Sequence, residues 1–249
     1  MLTEERQRLI IERINAQDII KSRDLMEQLD VSESTIRRDL KEMEEAGLLK
    51  RVHGGAKRIM KLEVEATMME KTFINVQEKK KIAEYAASLV QDGDFIYLDA
   101  GTTTYEMLSF LKGKQIHVIT NSVYHASTAI DYGIPVISIG GKIRDKTKAA
   151  VGQVSIDQLK QHYFDKAFMG VNGIHLAYGY TTADTEEAAT KAVAMEQAQS
   201  VFMLTDHSKF SKINFAKIAD ISAATIITNQ LSATILQKIT EVTTVKEVY

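Results

Sequence analysis

Along the first fifty positions apolar residues recur at spacings of three and four, the period of one face of a helix. Leu9, Ile10 and Ile14 predict a first helix from Thr3 to about Asn15. Leu25, Met26 and Leu29 predict a second over Arg23–Leu29, with Ser22 as its cap. Asp30-Val31 reads as a turn. A third helix then starts at Ser32, whose hydroxyl can accept from an open backbone N–H. Ile36, Leu40 and Met43 form its apolar stripe, and Gly47 stands where a helix stops at C′. On the opposite side fall Ser34, Arg38 and Lys41, flanked by Thr35 and Arg37. Leu48–Val52 then predicts a strand, His53-Gly54-Gly55 a sharp turn and Ala56–Ile59 a return strand. Two short helices, a tight turn between them and a hairpin behind make a winged helix-turn-helix over residues 1–59.

The pattern changes after that. Residues 60–77 are charged and Met-rich without a clear period, and read as a linker. From Glu78 to Tyr249, apolar runs of strand length alternate with helical stretches. The runs Phe95–Leu98, Ile116–Thr120, Val136–Ile139, Ala167–Val171, Val201–Thr205, Thr225–Thr228 and Thr244–Val248 are the predicted strands. Alternation of this kind implies an α/β domain with a mainly parallel sheet covered on both faces. Asn172–Thr182 reads as a glycine-rich loop.

Composition narrows the possibilities. The chain has 249 residues, no cysteine and a formal net charge of −2. No disulfide framework or thiol chemistry is available. No apolar run reaches membrane-spanning length, and charged residues begin at position 4, unlike a signal peptide. A cytoplasmic location follows as the expectation. Six histidines without paired ligand spacing give no metal site, and no cofactor is implied. Residues 1–58 hold twelve Lys/Arg and twelve Asp/Glu. Their bases gather around Arg37–Lys41 and Lys50–Arg58, so a neutral domain has a positive face.

That face suits DNA. Arg can hold guanine O6 and N7 with two bonds, and hydroxyls can bond base edges or phosphates. The candidate DNA-binding residues are Ser22, Ser32, Ser34, Thr35, Arg37, Arg38, Lys41, Arg51, His53 and Gly54. A plain solvated helix face is the competing account of the same charges.

In the second domain, ligands of an open parallel sheet belong at the carboxyl ends of strands. Those ends supply Asp99, Gly101, Thr102, Thr103 and Thr104; Asn121 and Ser122; Gly140, Gly141 and Lys142; Asn172 and Gly173; and Lys209. The Gly-Thr-Thr-Thr turn into a helix is the best anion cradle, with open N–H groups and three hydroxyls. Thr181, Thr182, Asp184 and Glu187, with Lys191 beyond, could form a lid over a ligand. Ordinary helix capping by Asp184 and a Glu187–Lys191 pair explain the same residues without chemistry.

The pattern STIRRDLKEMEEAGLLKRVHGGA, within a likeness over residues 4–56, resembles the DeoR family of bacterial transcriptional regulators. LDAGTTT, VITNS, IGG, GVNGI, TTADTEEAATKAVAM and LTDHSKF resemble its sensor domain. The resemblance implies a repressor that binds operator DNA, with a sensor like ribose-5-phosphate isomerase and CoA transferases that takes a phosphorylated sugar. Within the family it lies nearest to regulators of fructose utilisation, implying fructose 1-phosphate or a related fructose phosphate. A homodimer or homotetramer would pair two recognition helices. An isomerase with an accessory DNA domain is the alternative. Against it, Gly170-Val171-Asn172-Gly173 has Asn where the isomerases carry an acid, and no Lys-Gly-Gly-Gly run occurs.

Overall fold

The computed structural model describes residues 2–17, 19–58 and 66–249. The chain divides into two compact units, Met1–Lys61 and Leu62–Tyr249.

The first unit runs α1 (Thr3–Gln17), β1 (Ile19–Lys21), α2 (Ser22–Leu29), α3 (Glu33–Glu45), β2 (Leu49–Val52) and β3 (Gly55–Arg58). Ile10, Ile14, Leu25, Leu29, Ile36, Leu40, Met43 and Leu49 close into one core, so the helical period marked the buried face. Ser32 caps α3, its Oγ accepting from the Thr35 N–H at 3.3 Å. Gly47 follows the helix at φ +69°. Ser22 does not cap α2. It is the first helical residue, its N–H donates to the Gly54 carbonyl at 2.8 Å, and Lys21 holds the cap position. The turn between α2 and α3 places Asp30 in the left-handed region.

The wing has three antiparallel strands in the order β1-β3-β2. β1 is three residues long, too short to show alternation in a sequence. Gly55 lies where a Cβ would stand 2.0 Å from the Ile20 carbonyl oxygen, so only glycine lets β3 pair with β1. A pair of charges hides in this core. Arg6 of α1 and Asp39 of α3 are both buried and joined by two hydrogen bonds, 2.5 Å from Nε and 3.0 Å from Nη2.

The second unit comprises α4 (Met68–Thr72), α5 (Val76–Ser88), β4 (Phe95–Leu98), α6 (Thr102–Leu111), β5 (His117–Thr120), α7 (Val123–Asp131), β6 (Val136–Ser138), β7 (Lys142–Ile143), β8 (Ala150–Val151), α8 (Gln153–Leu159), β9 (Phe164–Gly170), β10 (Gly173–His175), β11 (Gly179–Thr182), α9 (Thr185–Glu196), β12 (Ala198–Leu204), β13 (Ala216–Ala219), β14 (Thr225–Thr228), α10 (Ala233–Thr240) and β15 (Val245–Glu247). The expected linker differs from this. Its residues 60–65 lie outside the described residues, α4 occupies 68–72 behind a Thr67–Glu70 capping box, and α5 starts at Val76.

Seven strands form one sheet, β15-β14-β12-β9-β4-β5-β6, every pair parallel. Side chains alternate across it. Ile96, Leu98 and Phe168 pack under α5, α6 and α7 with Ile82, Met107 and Leu108. Tyr97, Ala167 and Met169 pack on the other face with Leu159, Ala188, Met195 and Ile239 from α8, α9 and α10. Asn172–Thr182 is not a loop: β10 and β11 form a hairpin that pairs with β13. Its glycines serve close backbone approach. A Cβ on Gly173 would stand 2.5 Å from the Lys212 carbonyl oxygen.

Candidate functional site

The first unit presents one basic surface. Ser34, Arg37, Arg38 and Lys41 are exposed along α3, with Thr35 half-buried beside them. Each base leans on an acid one turn away: Arg37 on Glu33 at 3.0 Å, Arg38 on Glu42 at 4.0 Å, Lys41 on Glu45 at 3.8 Å. Exposed i,i+4 pairs contribute roughly 0.3–0.5 kcal/mol, so a phosphate or a base edge can replace the acid at little cost. The Ser32 hydroxyl stands 2.9 Å from those of Ser34 and Thr35, a small hydroxyl cluster at the positive end of the helix. Glu44, at the other end, accepts from the Arg51 N–H at 2.8 Å and ties the wing to α3. Arg51 and His53 are exposed on the wing, and Gly54 turns at φ +76°. Lys50 and Lys57 lie on the wing as well.

The second unit has a cleft at the carboxyl edge of its sheet, where β12, β9 and β4 end side by side. Gly101, Thr102 and Thr103 open α6 there. Gly101 is the N-cap and supplies no side chain, so the first N–H groups of α6 have no cap to bind. Lys71, Lys79 and Lys209 reach the same space, with Asp206 the acid among them. Lys71 Nζ donates to Asn172 Oδ1 at 3.3 Å, and Lys79 Nζ to the Lys71 carbonyl. Asp206 accepts from Asn75 Nδ2 and the Ser208 N–H, each at 2.9 Å. Burial pushes the Asp206 carboxyl up. Bonds from Ser208, the Lys209 charge and Asn75 outweigh that and hold it below the usual range. Burial lowers Lys79, opposed by the charge of Asp206 and aided by Lys209 and Lys71. The enclosed space is about 60 Å³.

Glu187, Lys191 and Thr147 line the cleft from elsewhere. Lys191 is buried and bonded to Asp99, whose Oδ2 also accepts from the Gly170 N–H at 2.9 Å. Glu187 accepts from Thr182 Oγ1 at 2.7 Å and from Arg144 at 3.1 Å.

Of the residues singled out in the sequence, Gly101, Thr102, Thr103, Asn172, Glu187 and Lys209 line this cleft, and Asp99 lies behind Lys191. The others are spent on the fold. Thr104 turns inward and donates to the Asp99 carbonyl at 2.6 Å. Asn121 bridges the Ala100 N–H and the Ala150 carbonyl, and Ser122 caps α7. Gly140 donates to Gln158, Gly141 packs against Ser155, and Lys142 pairs with Glu186 at the surface. Thr181 bonds the Gly173 carbonyl and the Asn214 N–H, and Asp184 caps α9. Lys71, Lys79 and Thr147 escaped the sequence reading. Lys71 comes from a stretch without period, and no motif marks either lysine.

Both units match known families. Residues 6–61 match the DeoR-like helix-turn-helix domain, and residues 74–230 the DeoR C terminal sensor domain. The chain belongs to the DeoR family of transcriptional regulators. It is 45% identical over 249 residues to FruR of Bacillus subtilis, an uncharacterised HTH-type transcriptional regulator, covering 100% of this chain and 99% of that one. It is 34% identical over 247 residues to the lactose phosphotransferase system repressor of Lactococcus lactis, at 95% of each. A ribose 5-phosphate isomerase A from Methanocaldococcus jannaschii aligns at 21% identity and a TM-score of 0.42, over 55% of each chain. Family members of this kind regulate transcription, so the chain is a regulator and not an isomerase with an added domain. No helix among the described residues is long and apolar enough to cross a membrane.

Proposed function

We propose that this regulator is a repressor of a sugar-utilisation operon, fructose in the first instance, and that a phosphorylated sugar bound in the cleft releases it from its operator. One observation supports this above the rest. Three lysines and the uncapped start of α6 converge on the cleft at the carboxyl edge of the sheet. Backbone N–H groups at a helix start and lysine ammonium groups are what a phosphate monoester requires. The relatives support the sugar: one is named a lactose phosphotransferase system repressor, another FruR.

In this reading α3 enters the major groove. Ser34, Arg37 and Arg38 reach base edges or phosphates, and Arg51 and His53 of the wing follow the backbone. A single small module makes few base contacts, and a homodimer or homotetramer doubles them by placing two α3 helices about one turn of DNA apart. Effector binding must then favour an arrangement in which the two helices no longer match their half-sites.

The test is fluorescence anisotropy on a DNA site that the full-length protein selects from a random pool. Fructose 1-phosphate is expected to raise the apparent Kd at least tenfold, and Lys209→Met to abolish the response while leaving DNA binding intact. If no hexose or pentose monophosphate changes the affinity, the release mechanism is wrong.

A further inference from the structure

The cleft has two chemically different walls. The first is made by α4, α5 and the turn that follows β12. It holds Lys71, Lys79 and Lys209 with Asp206 as the acid lining it, an excess of positive charge. The second belongs to α9, on the opposite face of the sheet, and to the β7–β8 loop. Here the charges are engaged with one another: Lys191 is bonded to Asp99, and Arg144 to Glu187 and Asp184. An anion gains from the first wall. The second offers hydrogen-bonding groups without an excess of positive charge, which suits an uncharged polyol.

One atom on the second wall is unspent. Thr147 is 5% exposed and lines the cleft, and its hydroxyl has no hydrogen-bond partner in the structure. Among the buried side-chain atoms of the described residues that lack a partner, it is the one carried by a cleft-lining residue. Leaving a buried hydroxyl unpaired is unfavourable, so such a group calls for a bonding partner. Its position is fixed in advance. The loop is closed by the Arg144 N–H on the Ala149 carbonyl at 2.8 Å and the Lys148 N–H on the Arg144 carbonyl at 2.9 Å. Lys148 takes the left-handed conformation that this tight turn requires.

We propose that Thr147 is the specificity-determining residue of the cleft. It bonds a hydroxyl of the ligand's sugar, with Glu187 beside it, while the phosphate lies against the lysine wall and the start of α6. The ligand is then a polyhydroxylated monophosphate held in one direction, and a bare phosphate fills only half the site. This inference rests on the reading of the cleft as a sugar-phosphate site.

The experiment is calorimetric titration of the full-length protein with fructose 1-phosphate, fructose 6-phosphate and inorganic phosphate. Thr147→Val keeps the shape and removes the hydroxyl; Thr147→Ser restores it; Thr147→Ala is a second deletion if Val disturbs the turn. Thr147→Val and Thr147→Ala are expected to weaken the better hexose phosphate roughly five- to tenfold, the worth of one hydrogen bond, and inorganic phosphate less than twofold. Thr147→Ser is expected to bind like the wild type. If the deletions weaken both classes equally, or neither, Thr147 does not read the sugar, although the site still takes a sugar phosphate. If the wild type binds inorganic phosphate as tightly as either hexose phosphate, the hydroxyl wall is overturned. If the wild type binds none of the three, the cleft is not a phosphate site and both readings fall together.

Discussion

Arg6 and Asp39 fasten α1 to α3 from inside, by a two-pronged ion pair with both side chains buried. Asp39 lies between Arg38 and Leu40 on α3, so the pair helps set how the basic side of that helix is turned. Breaking it leaves a lone buried charge, which costs about 3–5 kcal/mol. Arg6→Ala or Asp39→Ala alone should therefore unfold the first unit early in urea, read by circular dichroism on the full chain. Arg6→Met with Asp39→Leu should recover most of the loss. A double variant as unstable as either single one would show that the pair is irreplaceable by packing.

Arg38→Ala should weaken binding to the selected DNA site by ~1–3 kcal/mol if the guanidinium reads a base. The comparison that decides is random DNA of equal length. An equal loss there makes Arg38 a phosphate contact, and the salt dependence of binding then falls by about one ion.

Gly54 and Gly55 are adjacent glycines with different reasons to be glycine. Gly54 needs its positive φ and has open space around its Cβ position, so Gly54→Ala should cost about 1–2 kcal/mol. Gly55 has ordinary backbone but meets the Ile20 carbonyl, so Gly55→Ala must push β1 off β3. The expected loss is the larger of the two, and amide exchange should rise at Ile20 and Lys57, which flank the contact. Similar melting temperatures for the two variants would contradict this.

His125 predicts a pH dependence. It is fully buried between Thr104 Oγ1 at 3.1 Å and Ser122 Oγ at 2.6 Å. Burial pushes its pKa down to about 4, against the weaker pull of Asp99 in the other direction. Thr104 already donates to a carbonyl, so Nε2 carries the proton and Nδ1 accepts from Ser122. The folded chain keeps this ring neutral, while the unfolded chain protonates it below pH ~6.5. Stability on this account is full above pH 6.5, falls as the pH drops towards 4, and levels off below. The loss is on the order of 3 kcal/mol. His125→Gln should flatten the stability profile of the sensor unit between those pH values, whatever its stability at pH 7. An unchanged slope would assign acid unfolding to other groups.

Legibility followed the length and regularity of the elements. Phe95–Leu98 and Thr225–Thr228 are strands with the bounds that their apolar runs predict, because polar turns bracket each run. The α3 helix was readable from its cap to its stop for the same reason. β1, β10, β11 and β13 were not, since strands of three or four residues carry too little pattern, the more so where glycine or alanine fills positions in β10, β11 and β13. Arg6 and Asp39 were hidden because periodicity assigns every charge to the surface. In the cleft, Gly101–Thr103 were legible from the strand-to-helix turn that creates them. Asn121 and Ser122 looked alike, since caps and anion ligands use the same residue types. Lys71 and Thr147 come from segments outside the strand–loop–helix rhythm and Lys79 from within a helix, and only folding brings them to the sheet edge.

The surplus of lysine over acid in the cleft has a practical side. If the cleft takes a phosphorylated sugar as proposed, orthophosphate buffer is not an inert medium, because the ion would compete for the lysines with every sugar phosphate added. Binding curves taken in it describe displacement of one occupant by another, whereas those taken in a zwitterionic buffer describe filling from empty.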